Sequence, residues 1–162
     1  MDNTGLLCLI CGKIFDYGDS IFSYNVCVEK KGEDDVYDVV GNAECLFLSC
    51  RECLRDKSIS SELTDMEDHL IAKLKPEVQS QSQDSTEVES RYDCGICGQP
   101  IPDGDQMFTT NHCIENHFED RIEPELNLYH LTSCMSCHKK TKLDALLNEG
   151  INTLITRHKT NG

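Results

Sequence analysis

Four C-x-x-C pairs punctuate this chain: Cys8/Cys11, Cys50/Cys53, Cys94/Cys97 and Cys134/Cys137. The gap from Cys11 to Cys50 holds 38 residues and that from Cys97 to Cys134 holds 36. An offset of 86 superposes Cys11 on Cys97, Gly12 on Gly98 and Gly18 on Gly104. The same offset equates Asp19 with Asp105, Phe22 with Phe108, Asn25 with Asn111 and Cys27 with Cys113. So many coincidences at one offset, with glycines in register, indicate an internal duplication.

The chain has 162 residues, of which 38% are hydrophobic and 6% aromatic, and Trp is absent. That is a thin supply for a large core, and small domains with poor cores need staples. Residues 76–91, PEVQSQSQDSTEVESR, hold only two valines and read as a flexible acidic linker. The expected organisation is therefore a first zinc-binding repeat at 1–75, the linker at 76–91 and a second zinc-binding repeat at 92–162.

Both repeats read the same way. After the first C-x-x-C-Gly comes a turn, DYGD or PDGD. A strand follows, in which Phe22, Tyr24, Val26 and Val28 alternate with polar neighbours, as do Phe108, Thr110, His112 and Ile114. Acidic turns (Lys30 to Asp35 and Glu119 to Glu125) lead to second strands near Val36–Val40 and Leu126–Leu131. The second C-x-x-C opens a helix. Leu63, Met66, Leu70, Ile71 and Leu74 form its apolar stripe in the first repeat, where Pro76 is expected to end it. Leu143, Leu146, Leu147, Ile151, Leu154 and Ile155 form the other, with Gly150 a mild weakness. The fold class expected is α+β, built from two knuckle–β-hairpin–helix units.

Zinc takes four ligands in a tetrahedron, and thiolates at about 2.3 Å satisfy it. A C-x-x-C-Gly turn offers two sulfurs on one side of a tight loop, and a C-x-x-C at a helix start offers two more. Cys8, Cys11, Cys50 and Cys53 are thus expected to hold one zinc, and Cys94, Cys97, Cys134 and Cys137 a second; a four-thiolate site suits iron as well. Each site would contribute roughly 10 to 16 kcal/mol of apparent binding energy, comparable to a whole domain's net stability of about 5 to 15 kcal/mol. A closed four-cysteine site keeps no open position for water, so both ions are expected to be structural. Cys27 and Cys113, equivalent in the repeat, read as small buried strand residues. Cys45 has no cysteine counterpart and is an alternative ligand to Cys50 or Cys53.

The knuckle–hairpin–helix order resembles the treble-clef zinc-finger class over nearly all of both halves, which implies a fold and little about function. NLYHLTSCMSCHKKT, residues 127–141, is in addition similar to the tail of HNH-family nucleases. That resemblance would make His112 the base that activates water, Asn127 the residue holding the geometry and His138 a ligand of a catalytic divalent metal. Four of the six histidines (112, 117, 130 and 138) lie between residues 112 and 138. The family pattern fails at Asn111, where an acidic or His ligand is normal, and the first repeat has Val26 and Leu54 at the places of His112 and His138. Read without the family, His112 is a half-buried strand residue, His117 a surface residue near the turn and His138 a solvated residue of the first helical turn.

The formal net charge is -14, with -11 in residues 1–90 and -3 in residues 91–162. Nucleic-acid binders need a positive footprint, and the one basic cluster, Lys139, Lys140 and Lys142, reads as a solvated helix face. An acidic surface points instead to a basic protein partner, with the runs at 32–35 and 119–125 as the places to look. No apolar run approaches the roughly 18 residues of a membrane span. The start, MDNTGLLCLICGK, lacks a basic, apolar leader, so a cytoplasmic setting with reduced thiols is expected. The resulting expectation is a structural zinc protein acting as an acidic protein–protein interaction or regulatory module, with an HNH-like metal-dependent nuclease in the second repeat, active or inactive, as the alternative.

Overall fold

The computed structural model describes residues 3–32, 37–41, 43–79 and 93–160. The body of the expected linker (80–91), Val36 and most of the first acidic run (33–35) lie outside those residues.

The first repeat opens with two short strands, β1 (Asn3–Leu7) and β2 (Ile14–Asp16), which flank the first C-x-x-C as an antiparallel knuckle. Then come the long strand β3 (Ser20–Lys31), the short β4 (Tyr37–Val39) and β5 (Glu44–Cys50). Both of the latter pair antiparallel with β3, so the second strand expected near Val36–Val40 is built as two pieces. In the second repeat β6 (Gln106–His117) and β7 (Ile122–Cys134) form the hairpin, and β7 takes in half of the run expected to be a turn.

Each second C-x-x-C opens a helix, but a short one. α1 (Arg51–Asp56) and α3 (Met135–Thr141) stop before completing two turns. The backbone then reverses through Ser58 and Lys142, both in the left-handed region at φ 52°, and the long helices α2 (Ile59–Gln79) and α4 (Leu143–Thr160) begin. Left-handed non-glycine residues are uncommon, and this break occurs at the same place in both repeats. α2 also runs past Pro76, where the sequence predicted an end. Proline withholds its hydrogen bond from the carbonyl of Ala72, and Ala72 is exposed, so water can serve that carbonyl.

β3 pairs with β6 along eleven consecutive residues, from Ser20 opposite Asn116 to Lys30 opposite Gln106. The two hairpins thereby become one five-stranded sheet. At the centre of this seam Asn25 faces Asn111, the two residues that the 86-residue offset equates. Asn25 Nδ2 donates to Asn111 Oδ1 at 3.4 Å. An antiparallel pair whose repeat equivalents coincide at one point has a local two-fold axis there. The seam is therefore a pseudo-symmetric interface inside one chain.

Side chains alternate across the sheet. Phe22, Tyr24, Val26, Phe108, Thr110 and His112 share the face covered by the long helices, whose buried residues include Ile59, Leu63, Leu143, Leu147 and Ile151. α2 crosses to the second repeat, where Glu67 meets Thr110 and His112 and Asp68 meets His130. α4 reaches back to β5 of the first. Where α2 and α4 cross, a Cβ on Gly150 would stand 2.5 Å from Met66 Sδ. Gly150 is thus the residue that lets the two helices approach.

Candidate metal centres

Each knuckle is a tight loop held by its own backbone. Cys8 N donates to Lys13 O (2.8 Å) and Gly12 N to Cys8 O (2.9 Å); in the second repeat Cys94 N donates to Gln99 O (2.8 Å) and Gly98 N to Cys94 O (2.9 Å). Gly12 and Gly98 adopt φ of 79° and 75°, a conformation that favours glycine. The opposite jaw is a helix start. Cys50 and Cys134 are the N-caps of α1 and α3, and each sulfur accepts from the backbone N–H three residues on, at 3.5 Å. Leu9 N donates to Leu48 O (3.0 Å) and Gly95 N to Thr132 O (2.8 Å), which clamps each knuckle to the strand leading into its helix.

These constraints gather eight sulfurs into two cages. In each of the sets Cys8, Cys11, Cys50, Cys53 and Cys94, Cys97, Cys134, Cys137, all four Sγ atoms lie within 4.8 Å of one another. A tetrahedral ion bound at about 2.3 Å requires sulfurs about 3.8 Å apart. Cys11 Sγ and Cys50 Sγ are 3.8 Å apart, and Cys97 Sγ and Cys134 Sγ 3.9 Å. All eleven cysteines are free thiols. The donor chemistry and the spacing fit a four-thiolate metal ion, so each repeat could hold one.

The cages also favour the ionised state of their first cysteine. Burial pushes the Cys8 thiol up, but backbone N–H groups of Cys11, Cys50 and Ile10 outweigh it and bring Cys8 down to about 7. The hydrogen bond from Cys134, set against burial and aided by the N–H groups of Cys97, Cys134 and Ile96, brings Cys94 down to about 4. Two of the helix-side thiols move the other way: burial drives Cys50 up to about 11 and Cys137 up to about 12. The thiol lowered in each cage stands at the equivalent position of the two repeats.

The three leftover cysteines lie outside both cages. Cys27 is buried with Thr109 Oγ1 at 3.2 Å, and Cys113 donates to Asn111 Oδ1 at 2.8 Å. Cys45, which is exposed, donates to Phe47 O at 3.4 Å. Burial raises the Cys113 thiol to about 11, and it raises Cys27 too.

The trio suggested by the nuclease resemblance is not brought together. His112 faces the helices, with its Nε2 2.6 Å from Glu67 Oε1. Asn127 bonds Asn111 and Cys113, which point to the opposite sheet face. His138 sits in α3, stacked on Phe108 with ring centres 4.1 Å apart, and its Nδ1 is buried without a hydrogen bond. Phe108 and His112 are four residues apart on one strand, about 13 Å at the usual rise.

What the sequence did not disclose is the environment of His112. Glu67 is fully buried between the Thr110 hydroxyl, which donates to Oε2 at 2.7 Å, and the His112 imidazole. The Tyr24 ring closes the pocket 5.0 Å from His112. Burial and then the Glu67 charge push the Tyr24 phenol upward, with its hydroxyl turned toward Thr110 and Glu67. A signal existed, because Glu67 interrupts the apolar stripe of α2 at a core position.

No protein-family model, curated protein or solved structure matches this chain. Among the described residues no helix is long and apolar enough to cross a membrane.

Proposed function

We propose that this chain is a non-enzymatic docking module of the treble-clef type, in which two structural zinc ions hold a two-fold platform that engages a basic protein partner. The observation that carries the reading is the pair of closed four-sulfur cages. With four thiolates per ion no coordination position is left for water, which suits a structural ion and not a hydrolytic one. Zinc fits better than iron here because the knuckle–hairpin–helix order is the one in which zinc replaces a core. The net charge of -14 favours a basic partner over a nucleic acid.

The separation of His112 from Asn127 and His138 supports the docking reading over the nuclease one. Elemental analysis of protein purified under reducing conditions should return two zinc ions per chain, and chelation should abolish cooperative melting. Zinc-loaded protein should also engage a basic partner in a salt-sensitive manner, and the metal-free chain should not. Protein that holds no transition metal and still melts cooperatively would sink the reading.

A further inference from the structure

We infer that the basic partner docks as an extended segment that adds antiparallel to the free edge of β7 at residues 125–130, with apolar and basic side chains in alternation. This rests on the docking reading above and names its surface and the form of the segment.

The free edge follows from the ladder. His117 N donates to Asp19 O at 3.4 Å and Gly18 N donates to His117 O at 2.7 Å, so His117 turns its backbone groups toward the first repeat. From there β3 and β6 pair without a shift, so Glu115, Cys113 and Asn111 face β3, while Ile114 and His112 face β7. Ile114 pairs with Leu126 and His112 with Leu128, in a stretch of β7 that is itself free of shifts. Leu126 and Leu128 therefore direct their N–H and C=O groups at β6, and Asn127 and Tyr129 direct theirs away from the sheet. Among the described residues those outward groups have no partner. A row of unpaired main-chain donors and acceptors is a template for another strand.

The row is bounded. Beyond Tyr129, Thr132 O already accepts from Gly95 N of the knuckle at 2.8 Å. Before Leu126, Pro124 has no N–H to offer. Register shifts lie on either side of the 126–129 stretch and none within it. Proline and bulges are the usual devices that blunt an edge, and here they leave one short window open.

Side chains define what fits the window. Leu126 and Leu128 share the helix-covered face, 40% and 54% exposed, and Leu126 stands directly opposite the half-buried Ile114. An added strand would lay its apolar residues beside this strip. On the other face Tyr129 is 53% exposed, and its hydroxyl donates to the buried Glu29 Oε1 at 3.1 Å. A ring fixed in this way, with a carboxylate at its tip, suits a guanidinium or ammonium group. Asp68 of α2, which bonds His130 at 3.1 Å, and Glu125 place further acid at the two ends of the window.

Pseudo-symmetry supplies an internal control. In the first repeat Glu44 faces Val26 and Cys45 faces Asn25, where the second has Leu128 facing His112 and Tyr129 facing Asn111. The leucine and tyrosine are thus peculiar to β7, and the fold does not demand them. A second copy of the chain is a poor occupant, since each copy carries a net charge of -14.

The test uses zinc-loaded full-length protein and a labelled peptide in which arginine alternates with valine. With arginines opposite Asn127 and Tyr129, the arginine N–H groups face β7 and the valine N–H groups face solvent. Fluorescence anisotropy should show binding that N-methylation of the arginines weakens by about tenfold or more and that N-methylation of the valines leaves nearly unchanged. Hydrogen exchange should find the Asn127 and Tyr129 amides fast in the free protein and slowed by the peptide, with Leu126 and Leu128 slow throughout. Leu126→Thr with Leu128→Thr keeps strand-forming residues and should weaken the peptide by about tenfold while circular dichroism stays unchanged. Equal effects of the two methylation patterns, or protection that arises elsewhere, would overturn the assignment of this edge and leave the docking reading intact. A dimer of the free protein that the threonine variant dissolves would give the edge to a second copy and overturn the proposal. Failure of the loaded protein to bind any of these basic peptides would count against both readings.

Discussion

The Glu67–His112 contact offers a sharp quantitative test, because pseudo-symmetry provides its apolar counterpart. An offset of 84 relates the long helices and places Ile151 where α2 has Glu67, while the strand offset places Val26 where β6 has His112. One helix–sheet contact thus carries a carboxyl–imidazole pair and its equivalent carries two aliphatic residues. Glu67 is wholly buried and His112 is 5% exposed. Removing one partner of a buried ionisable pair strands the other and costs about 3 to 5 kcal/mol, whereas replacing both with apolar residues is often neutral. His112→Val takes the imidazole from Glu67 Oε1, and Glu67→Ile leaves the imidazole against Tyr24 and Phe22. Each single variant should lose about 3 kcal/mol or more, which for a chain of this size lowers Tm by roughly 6 to 20 °C. The double variant Glu67→Ile/His112→Val copies the Ile151/Val26 arrangement and should fall within about 1 kcal/mol of the parent. Urea unfolding with zinc and reductant held constant measures all four corners of the cycle. If the double variant loses the sum of the two singles, the residues are not coupled and the geometry has been misread.

Other outcomes follow from the cages and the helix crossing. Both first cysteines are depressed below the ordinary 9.0, so the stability they contribute is complete above that value and is lost as pH falls through their folded values. Protons compete with the metal for every thiolate of a cage, so acidification should release zinc and take the fold with it; zinc release recorded alongside circular dichroism would check the link, and release with an unchanged spectrum would contradict it. Cys134→Ser should melt the first repeat as well as the second, because β3 and β6 share one sheet; hydrogen exchange of β3 amides would report it, and an undisturbed β3 would contradict it. At Gly150, Ala removes a helix penalty of about 1 kcal/mol but drives Cβ into Met66, so Gly150→Ala should be close to neutral. Gly150→Leu should cost about 1 to 3 kcal/mol unless Met66→Ala accompanies it, a compensation that thermal melts of the pair would reveal.

The cages were legible in the sequence because metal ligation depends on residue type and local spacing, and both survive any arrangement of the rest. The strands around Tyr24 and His112 were legible for the similar reason that alternation is local. The left-handed breaks at Ser58 and Lys142 were not, since neither Ser nor Lys is among the types enriched in that conformation, as Gly, Asn and Asp are. Lys142 in particular read as part of a solvated basic helix face, whereas it is the reversal between α3 and α4. The position of Glu67 was visible as a defect in a stripe, but its partner lies 45 residues away on the other repeat.

The least legible feature was the joining of the repeats, although the duplication contained the clue. Two copies of one hairpin can meet edge to edge about a two-fold axis only where a residue faces its own equivalent, and here that residue is asparagine. A carboxamide is both donor and acceptor, so Asn25 can give a hydrogen bond to Asn111 across the axis as readily as receive one. An apolar pair there would satisfy the symmetry equally well but would not fix the register as an Asn pair does. Shifting the strands by two residues would oppose Asn25 to Cys113 or Thr109 and would carry Glu67 away from His112. The seam and the buried pair therefore enforce one another: the asparagines set the register in the sheet, and the carboxyl–imidazole contact accepts only that register from the helix above it.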